Sequence, residues 1–246
     1  MQGLQEKVVL ITGAAKGMGA AEAKMAAERG ATVIVTDVLD EQGLEVAESI
    51  GSDYFHLDVS DKKNWAEVIN STVEKFGRID GLVNNAGIFI QKTLFDDSQE
   101  AFEAMVRVNQ LGTYLGIESV APIMRDQKNG SIVNISSAAG LKGQRNIGYV
   151  ASKFAVTGMT KAIALQLAEF NVRCNSVHPG AISTDMSNNL GADDVSMLTR
   201  KTPMKRVGEP EEVSEVVMFL LSEASSYLTG SEIAADGGFI LQSGGR

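Results

Sequence analysis

A tyrosine and a lysine lie four residues apart in the segment Gly148 to Phe154, and they give the first chemical signal in the chain. A helix with 3.6 residues per turn places Tyr149 and Lys153 on one face, with the ammonium near the phenol. A nearby positive charge favours the phenolate, so the spacing predicts a tyrosine pKa below its reference value of about 10. Such a tyrosine could exchange a proton near neutral pH. Chance pairs of this kind are common on helix surfaces, so the prediction depends on the other motifs.

A glycine-rich turn follows the first apolar run of the chain. Gly13, Gly17 and Gly19 allow a tight strand-to-helix turn, where a helix N-terminus would offer unpaired N–H groups to a pyrophosphate. Lys16 and Met18 lie in the same turn and are predicted to line that site. The Gly-x3-Gly-x-Gly spacing differs from the usual dinucleotide fingerprint, so on spacing alone a plain turn is the alternative.

An acidic residue, Asp37, ends the second apolar run, 18 positions after Gly19. A carboxylate at this place hydrogen-bonds the adenosine ribose hydroxyls and repels a 2′-phosphate, which predicts NAD rather than NADP. Lys16 favours NADP, but more weakly, because a phosphate beside a fixed carboxylate is a close like-charge contact. Asp37 could also simply cap the helix predicted near Glu41.

Small and polar residues follow the next two apolar runs. Asp58 could hold the adenine amino group, with Val59 beside it. Asn85, Ala86 and Gly87 would let the chain pass close to a ligand. Asparagine is frequent in ordinary turns, but ligands of open α/β sheets bind at the carboxyl ends of parallel strands, which is where these residues are predicted.

Two serines, Ser136 and Ser137, end the fifth apolar run, 13 and 12 residues before Tyr149. A hydroxyl there could polarise a carbonyl oxygen beside the tyrosine, while a helix cap is the common alternative. A serine hydrolase is disfavoured, because no Gly-x-Ser-x-Gly elbow surrounds either serine and His178 directly precedes a Pro-Gly turn.

Strands and helices alternate along the chain, which predicts a single α/β domain over 1–246, with a parallel sheet covered by helices on both faces. The predicted strands are Lys7–Thr12, Thr32–Thr36, Tyr54–Leu57, Gly81–Val83, Ser131–Ile135, Val172–Val177 and Ser231–Ala235. The predicted helices are Gly19–Arg29, Glu41–Ile50, Lys62–Phe76, Gln99–Met124 and Ile147–Glu169. Three of the four prolines follow residue 178, so the last third is expected to carry irregular loops, with Ser183–Pro203 as a substrate lid or a surface helix pair.

The composition excludes several classes of function. The net charge of −9 provides no basic surface for nucleic acid. One cysteine and two histidines are too few for a metal site, and Cys174 is expected to be an inert packed thiol. No apolar run approaches the length of a membrane span, and Met1–Lys7 lacks a signal-peptide pattern, so we expect a cytoplasmic protein.

With these residues in place, the chain resembles the short-chain dehydrogenase/reductase family over essentially its whole length, which implies a Rossmann fold with a seven-stranded sheet. The matching positions are Thr12-Gly13-x3-Gly17-x-Gly19, Asp58, Asn84–Gly87, Asn109, Ser137, Tyr149-x3-Lys153 and Pro179-Gly180-x3-Thr184.

The resemblance implies a role for each residue of the site. Tyr149 would exchange the proton, Lys153 would lower its pKa and bind the nicotinamide ribose, and Ser137 would hold the substrate oxygen. Asn109 would kink its helix and support a water-linked proton relay to Lys153. The residues expected to position the nicotinamide carboxamide are Pro179, Gly180, Ile182 and Thr184. The commoner family spacing of 13 would select Ser136, but the surrounding residues match best with Ser137.

The predicted pocket walls, 88–92, 138–144 and 183–198, carry mainly apolar residues, which favours an apolar secondary alcohol or ketone as substrate. Within the family, the chain resembles most the NAD-linked hydroxysteroid and cyclic-alcohol dehydrogenases. The alternatives are an NADPH-dependent 3-oxoacyl-carrier-protein reductase and, from another class, a nucleotide-binding regulator without catalysis. Lys92, Lys142 and Arg145 are the charged residues near the predicted pocket and could simply be solvated. The family also commonly forms homotetramers through its two long central helices and its C-terminal strand region.

Overall fold

Seven short strands form one parallel sheet, and the first of them along the chain is the richest in branched apolar residues. The computed structural model describes residues 3–96, 98–184 and 192–241, and the side chains of 192–195 are outside that set. The strands are β1 (Val8–Thr12), β2 (Thr32–Asp37), β3 (Asp53–His56), β4 (Gly81–Asn84), β5 (Gly130–Ile135), β6 (Val172–Pro179) and β7 (Glu232–Ala235). Their order is β3-β2-β1-β4-β5-β6-β7, and every pair is parallel. The chain therefore changes direction across the sheet between β1 and β4, the place where open α/β sheets bind ligands.

Helices cover both faces of this sheet. They are α1 (Gly17–Glu28), α2 (Asp40–Ile50), α3 (Lys62–Phe76), α4 (Gln99–Met105), α5 (Gly112–Gln127), α6 (Ile147–Leu167), α7 (Ala192–Lys201) and α8 (Pro210–Leu221). Apolar residues of α1, α2 and α8 pack with Val9 and Ile11 of β1 on one face. Apolar residues of α3, α5 and α6 pack with Val8 and Leu10 on the other. Because successive strand residues point to opposite faces, a fully apolar strand such as β1 serves both cores.

The predicted fold class is confirmed, with strand boundaries that differ from the prediction by only one or two residues. The long helix predicted over Gln99–Met124 is divided: α4 and α5 are joined by a turn of π-helix at Val106–Leu111. Turns of this wider kind occur mostly at functional sites.

The last third, which was expected to carry irregular loops, also contains α8, a helix that the sequence analysis did not predict. This helix buries Val213, Val217, Leu220 and Leu221 against the sheet. Its signals were present in the sequence, because Glu209-Pro210 precedes apolar residues at helical spacing. In the predicted lid, Ser183–Pro203, residues 192–201 form α7, whereas residues 185–191 lie outside the described set.

The expectation for the single cysteine agrees with the structure. Cys174 is fully buried, and burial raises the pKa of its thiol to about 12, as an inert packed thiol requires. His56 and His178 lie at or next to the ends of β3 and β6. Within the described ranges, no helix is long and apolar enough to cross a membrane.

One buried charge-bearing residue lacks a partner. Glu22 lies on the inward face of α1 with Ala23 and Ala26 and has no exposed surface. Neither carboxyl oxygen has a hydrogen-bond partner within the described part of the chain. Burial raises the pKa of Glu22 well above its ordinary value, because a low-dielectric surrounding disfavours the carboxylate. The folded protein therefore keeps this proton over a pH range in which the unfolded chain releases it.

We expect the free energy of unfolding to fall as the pH rises above the ordinary carboxyl value of 4.5. The slope for this one proton is at most about 1.4 kcal/mol per pH unit and ends at the folded-state pKa. Glu22→Gln removes the titration, so its stability relative to the wild type should increase with pH. Urea unfolding at several pH values measures this, with Glu28→Gln, at an exposed position of the same helix, as the control. A stability difference between Glu22→Gln and wild type that is constant across pH would contradict the expectation.

Candidate active site

The glycine-rich turn connects β1 to α1 at the carboxyl edge of the sheet. Gly13 has a φ of 65°, and a Cβ there would lie 2.8 Å from the Cα of Ala86. A Cβ at Gly19 would lie 2.2 Å from the carbonyl oxygen of Gly13. Side chains at these two positions would block the turn, so glycine is required for its shape and for close approach of a ligand.

Hydrogen bonds from β4 hold this turn in place. The Thr12 hydroxyl accepts the N–H of Asn85 at 3.1 Å and that of Ala86 at 3.0 Å. The Asn85 amide donates to the carbonyl oxygens of Thr12 at 2.9 Å and Gly13 at 3.0 Å. Asn85, predicted to contact the cofactor, thus uses its amide nitrogen to join the two strand ends. Thr12 lay in the predicted motif but was not assigned this role.

The carboxylate of Asp37 faces the glycine-rich turn. One oxygen accepts the N–H of Ala15 at 2.9 Å, and the other accepts those of Val38 at 2.7 Å and Leu39 at 3.1 Å. These bonds fix the carboxylate beside the turn. None of them comes from a backbone N–H within α2, so Asp37 does not act as the cap of that helix, which was its alternative role. Lys16 is exposed at the start of α1.

The predicted adenine residues lie at the end of β3. Asp58 accepts hydrogen bonds on one carboxylate oxygen from the N–H and hydroxyl of Ser60, at 2.9 and 2.8 Å. Val59 is buried, and its carbonyl oxygen accepts the indole N–H of Trp65 at 2.9 Å. These contacts anchor the loop that carries both residues.

The structure brings Ser137, Tyr149 and Lys153 together at the carboxyl end of β5. Ser137 hydrogen-bonds Tyr149 through its side chain. The Lys153 ammonium is buried, donates to the carbonyl oxygen of Ile135 at 2.9 Å and lies 5.7 Å from the centre of the Tyr149 ring. One ionisable phenol, one hydroxyl and one ammonium therefore lie close together, which is an arrangement suited to moving a proton.

The pKa of Tyr149 differs from the expectation. Burial raises the pKa of the phenol above its ordinary value, and the hydrogen bond with Ser137 offsets this only in part. Burial also lowers the pKa of Lys153 to about 8, so the charge expected to favour the phenolate is itself disfavoured. A helical spacing places the two groups near each other, but the low dielectric around them opposes both charged forms.

The two adjacent serines have separate surroundings. The Ser136 hydroxyl is buried and donates to the carbonyl oxygen of Lys153 at 2.9 Å, within α6. Ser137 faces Tyr149, and its carbonyl oxygen lies 3.0 Å from Nδ1 of His178. His178 has no exposed surface, and burial lowers its pKa, so it supports the serine rather than acting as a base in the cleft.

Asn109 lies in the π-helical turn and is completely buried. Its amide accepts the N–H of Ile88 at 2.8 Å and donates to the carbonyl oxygen of Ile88 at 3.0 Å and to the Ser152 hydroxyl at 3.1 Å. A Cβ built on Gly87 would lie 3.2 Å from the side-chain amide oxygen of Asn109 and 3.4 Å from the Lys153 ammonium. Gly87 therefore lets the chain that follows β4 pass directly beside both residues.

The predicted carboxamide segment returns to the glycine-rich turn. Pro179 ends β6, and the N–H of Gly180 donates to Ala235 at 3.0 Å. A Cβ on Gly17 would lie 3.4 Å from the Thr184 methyl group, so the two segments face each other. Ile182 is buried in the core, so only its backbone can serve a ligand.

Together these elements fit a dinucleotide: a turn with glycine at its three closest approaches, a start of α1 at which the N-cap residue Lys16 makes no side-chain cap, and carboxylates at or after the ends of β2 and β3. Over the ranges that the structure describes, no group of three histidine, cysteine or acidic side chains could hold a metal ion.

Comparison with known proteins shows to which class of protein the chain belongs. A family model described as enoyl-(acyl carrier protein) reductase matches residues 13–240. The chain is 39% identical to trans-4-hydroxycyclohexanecarboxylate dehydrogenase of Sinomonas cyclohexanicum, with 95% of this chain and 92% of the relative covered. It is 43% identical to the 3-oxoacyl-[acyl-carrier-protein] reductase of Thermotoga maritima, with 97% and 99% covered. A 3-alpha-(or 20-beta)-hydroxysteroid dehydrogenase of Mycobacterium bovis is 40% identical, with 95% and 89% covered.

Solved structures agree with these relatives. The crystal structure of levodione reductase superposes with a TM-score of 0.92 at 35% identity and covers 97% of this chain and 99% of its own. A short-chain type dehydrogenase/reductase from Mycobacterium marinum has a TM-score of 0.93 at 34% identity, with 98% of both chains covered.

The fold and the site are those of a nucleotide-binding alcohol oxidoreductase. The chain belongs to the short-chain dehydrogenase/reductase family, whose members use a nicotinamide cofactor. It is therefore an enzyme acting on CH–OH groups, and the alternative of a regulator without catalysis is not supported.

Proposed function

We propose that the protein is an NAD(H)-dependent dehydrogenase that interconverts an apolar secondary alcohol, of the cyclic or steroid type, and its ketone. The observation that carries this proposal is the cluster of the partly buried Ser137 and Tyr149 with the buried Lys153, beside a glycine-rich turn that faces Asp37. The cluster supplies proton transfer, and the turn supplies the place for a redox cofactor.

The proton step follows from the contacts of Tyr149. In oxidation, its phenolate takes the hydroxyl proton of the alcohol, and in reduction its phenol returns a proton to the carbonyl oxygen. Ser137 donates a hydrogen bond to the same substrate oxygen and holds it beside the phenol. A bound nicotinamide supplies the hydride acceptor or donor. Lys153, fixed by Ile135, faces the phenol and the cofactor ribose and stabilises the phenolate when charged.

Other residues of this chain hold the cofactor in the proposed arrangement. Asp37 accepts a ribose hydroxyl, since the carboxylate oxygen that accepts only the N–H of Ala15 keeps a second lone pair, while the other oxygen already accepts two backbone N–H groups. Asp58 and the backbone of Ala86 and Gly87 line the adenine and ribose side. The backbone of Gly180 to Thr184 holds the carboxamide. Asn109 links the end of β4 to Lys153 through its place beside Gly87.

An apolar substrate is supported by the walls of the cleft. The ring of Phe89 lies edge-on to Tyr149, with ring centres 5.1 Å apart and an angle of 88° between the planes. Three of the relatives are named as dehydrogenases of cyclic alcohols: a hydroxycyclohexanecarboxylate, a hydroxysteroid and cyclopentanol. These names support a cyclic secondary alcohol, and the last two of these substrates are also apolar. The segment 183–203 is proposed as the lid of this cleft.

A second candidate is a 3-oxoacyl-carrier-protein reductase, because the 43% identical relative from Thermotoga maritima has that name. Asp37 weighs against it, since a carboxylate beside the adenosine ribose disfavours NADPH. Cofactor preference and substrate class together separate the two candidates.

Tyr149→Phe tests the proton step. We expect kcat to fall by about 10²- to 10⁴-fold, the usual contribution of general acid–base catalysis, with cofactor affinity retained because the ring remains. Steady-state kinetics together with NADH binding by fluorescence would measure both quantities. Retention of most of the activity in this variant would refute the proposed role.

The cofactor and substrate are tested by following absorbance of the reduced nicotinamide with NAD or NADP and a panel of cyclic and steroid alcohols. We expect turnover with NAD and little with NADP. Asp37→Ser should reduce kcat/KM for NAD and raise it for NADP, by about tenfold or more for NADP, because a like-charge contact worth several kcal/mol is removed. Turnover with NADPH and an acyl thioester alone would favour the reductase candidate.

We also propose that the enzyme is a homotetramer that assembles through α4, α5 and α6 and through the β7 region. Large apolar side chains are exposed on both surfaces: Phe102, Leu111, Tyr114, Phe154 and Leu165 on the first, Phe219, Tyr227 and Leu241 on the second. Burial of such patches is the usual reason for their presence. Light scattering should give a mass near four times 26.2 kDa, whereas a monomer mass would contradict the assembly.

A further inference from the structure

The short segment Ile88–Ile90, which follows β4, is held at both ends by asparagine amides. Asn109 binds the first residue through both its N–H and its carbonyl oxygen, at 2.8 and 3.0 Å. The amide nitrogen of Asn146 donates to the carbonyl oxygen of Ile90. The residue between them, Phe89, packs its ring edge-on against the ring of Tyr149.

Asn146 also contacts the residue that carries the phenol. Its side-chain oxygen accepts the backbone N–H of Tyr149 at 2.8 Å, which caps the start of α6. The side chain is buried, with 7% of its surface exposed. The amide cannot be flipped, because the opposite orientation would place nitrogen against an N–H and oxygen against a carbonyl.

Capping alone does not explain an asparagine here. Aspartate, serine and threonine cap helices about as well, because a cap needs only an oxygen acceptor. The bond to Ile90 needs an N–H donor at the same position. Of the four strong capping residues, only asparagine carries both a carbonyl oxygen and an amide N–H.

We propose that Asn146 is a positioning residue of the active site, which ties the Phe89 wall to the start of α6 and so sets the width of the substrate cleft at Tyr149. The inference rests on the proposed function of Tyr149. Asn146 acts through Phe89, whose partly buried ring is both the wall that a substrate meets and part of the apolar surface that desolvates the phenol.

Asn146→Ser tests this positioning role, because serine keeps the cap on the Tyr149 N–H and removes the amide that reaches Ile90. We expect a melting temperature close to that of the wild type. The KM for the alcohol should rise about fivefold, which is the factor that corresponds to the net free energy of one ordinary hydrogen bond. The change in kcat should be smaller, because a wall binds the ground state and the transition state about equally. Asn146→Asp, which is also a good cap, should raise KM as well, so poor folding of one variant does not remove the test.

A titration of Tyr149 provides a readout that needs neither substrate nor cofactor. The phenolate absorbance of each protein is compared with that of its Tyr149→Phe counterpart, which isolates this tyrosine from the other three. In the wild type burial raises the pKa of Tyr149, so a loosened Phe89 should lower the titration midpoint in Asn146→Ser. The charged group that faces the phenol is Lys153, which every variant retains.

A double-mutant cycle shows whether Asn146 acts through Phe89. Phe89→Ala should raise KM and lower the Tyr149 midpoint, and adding Asn146→Ser should change neither further. Phe95→Ala is the matched control, because Phe95 lies on the same connection but is 93% exposed, and it should leave both readouts unchanged.

Two results would overturn the positioning role: a wild-type KM and Tyr149 midpoint in Asn146→Ser, or additive effects of the two substitutions in the cycle. Failure of the proposed function is separate, since it would appear as a wild-type enzyme that turns over none of the alcohols. In that case the Tyr149 titration would still show whether Asn146 positions Phe89, because it needs no substrate turnover.

Discussion

The hydrogen bonds between Thr12 and Asn85 join the two strand ends on which the active site is built. They hold the glycine-rich turn after β1 against the end of β4, across the point where the strand order changes direction. They extend the pairing of β1 with β4 beyond the last paired residues, so that the glycine-rich turn and the segment leading to Asn109 stay side by side. The remaining contacts extend from this junction: Asp37 holds the turn from the side of β2, and Gly87 leads the chain to Asn109 and Lys153.

Desolvation governs the chemistry of the residues inside this frame. The same physical effect raises the pKa of Tyr149, lowers that of Lys153 and keeps Glu22 protonated to higher pH, because a low dielectric opposes whichever form is charged. At Tyr149 and Lys153 the free-energy cost of burying a charge applies to groups that a substrate and a cofactor would contact. At Glu22 the same cost applies to a carboxyl group packed among apolar residues of α1, and no hydrogen bond in the described part of the structure compensates for it.

Much of the fold followed from local pattern. Branched apolar runs gave all seven strands within a residue or two, since a parallel sheet covered on both faces demands them. The helix at Pro210–Leu221 also has a local signal, because Glu209-Pro210 is a typical helix start and Val213, Val217 and Leu221 follow at helical spacing. The number of prolines in this part of the chain, taken alone, predicts loops instead. The periodicity of Gln99–Met124 predicted one continuous helix, whereas the family resemblance implied a kink at Asn109, and the helix is interrupted there by the π-helical turn Val106–Leu111. The buried amide of Asn109 binds Ile88 from another part of the chain, a contact that no local pattern indicates.

The candidate site shows the same division between sequence and tertiary structure. The sequence by itself determined the residue types, their order and the family, because helical spacing and strand ends are local properties of the chain. Only the tertiary structure assigned Asn85 to holding the turn, placed Phe89 beside Tyr149 and brought Ile90 to the amide of Asn146. It also reversed the expected direction of the Tyr149 pKa. The reason is that burial and contacts between distant segments depend on the whole packed molecule, which residue spacing along one helix does not describe.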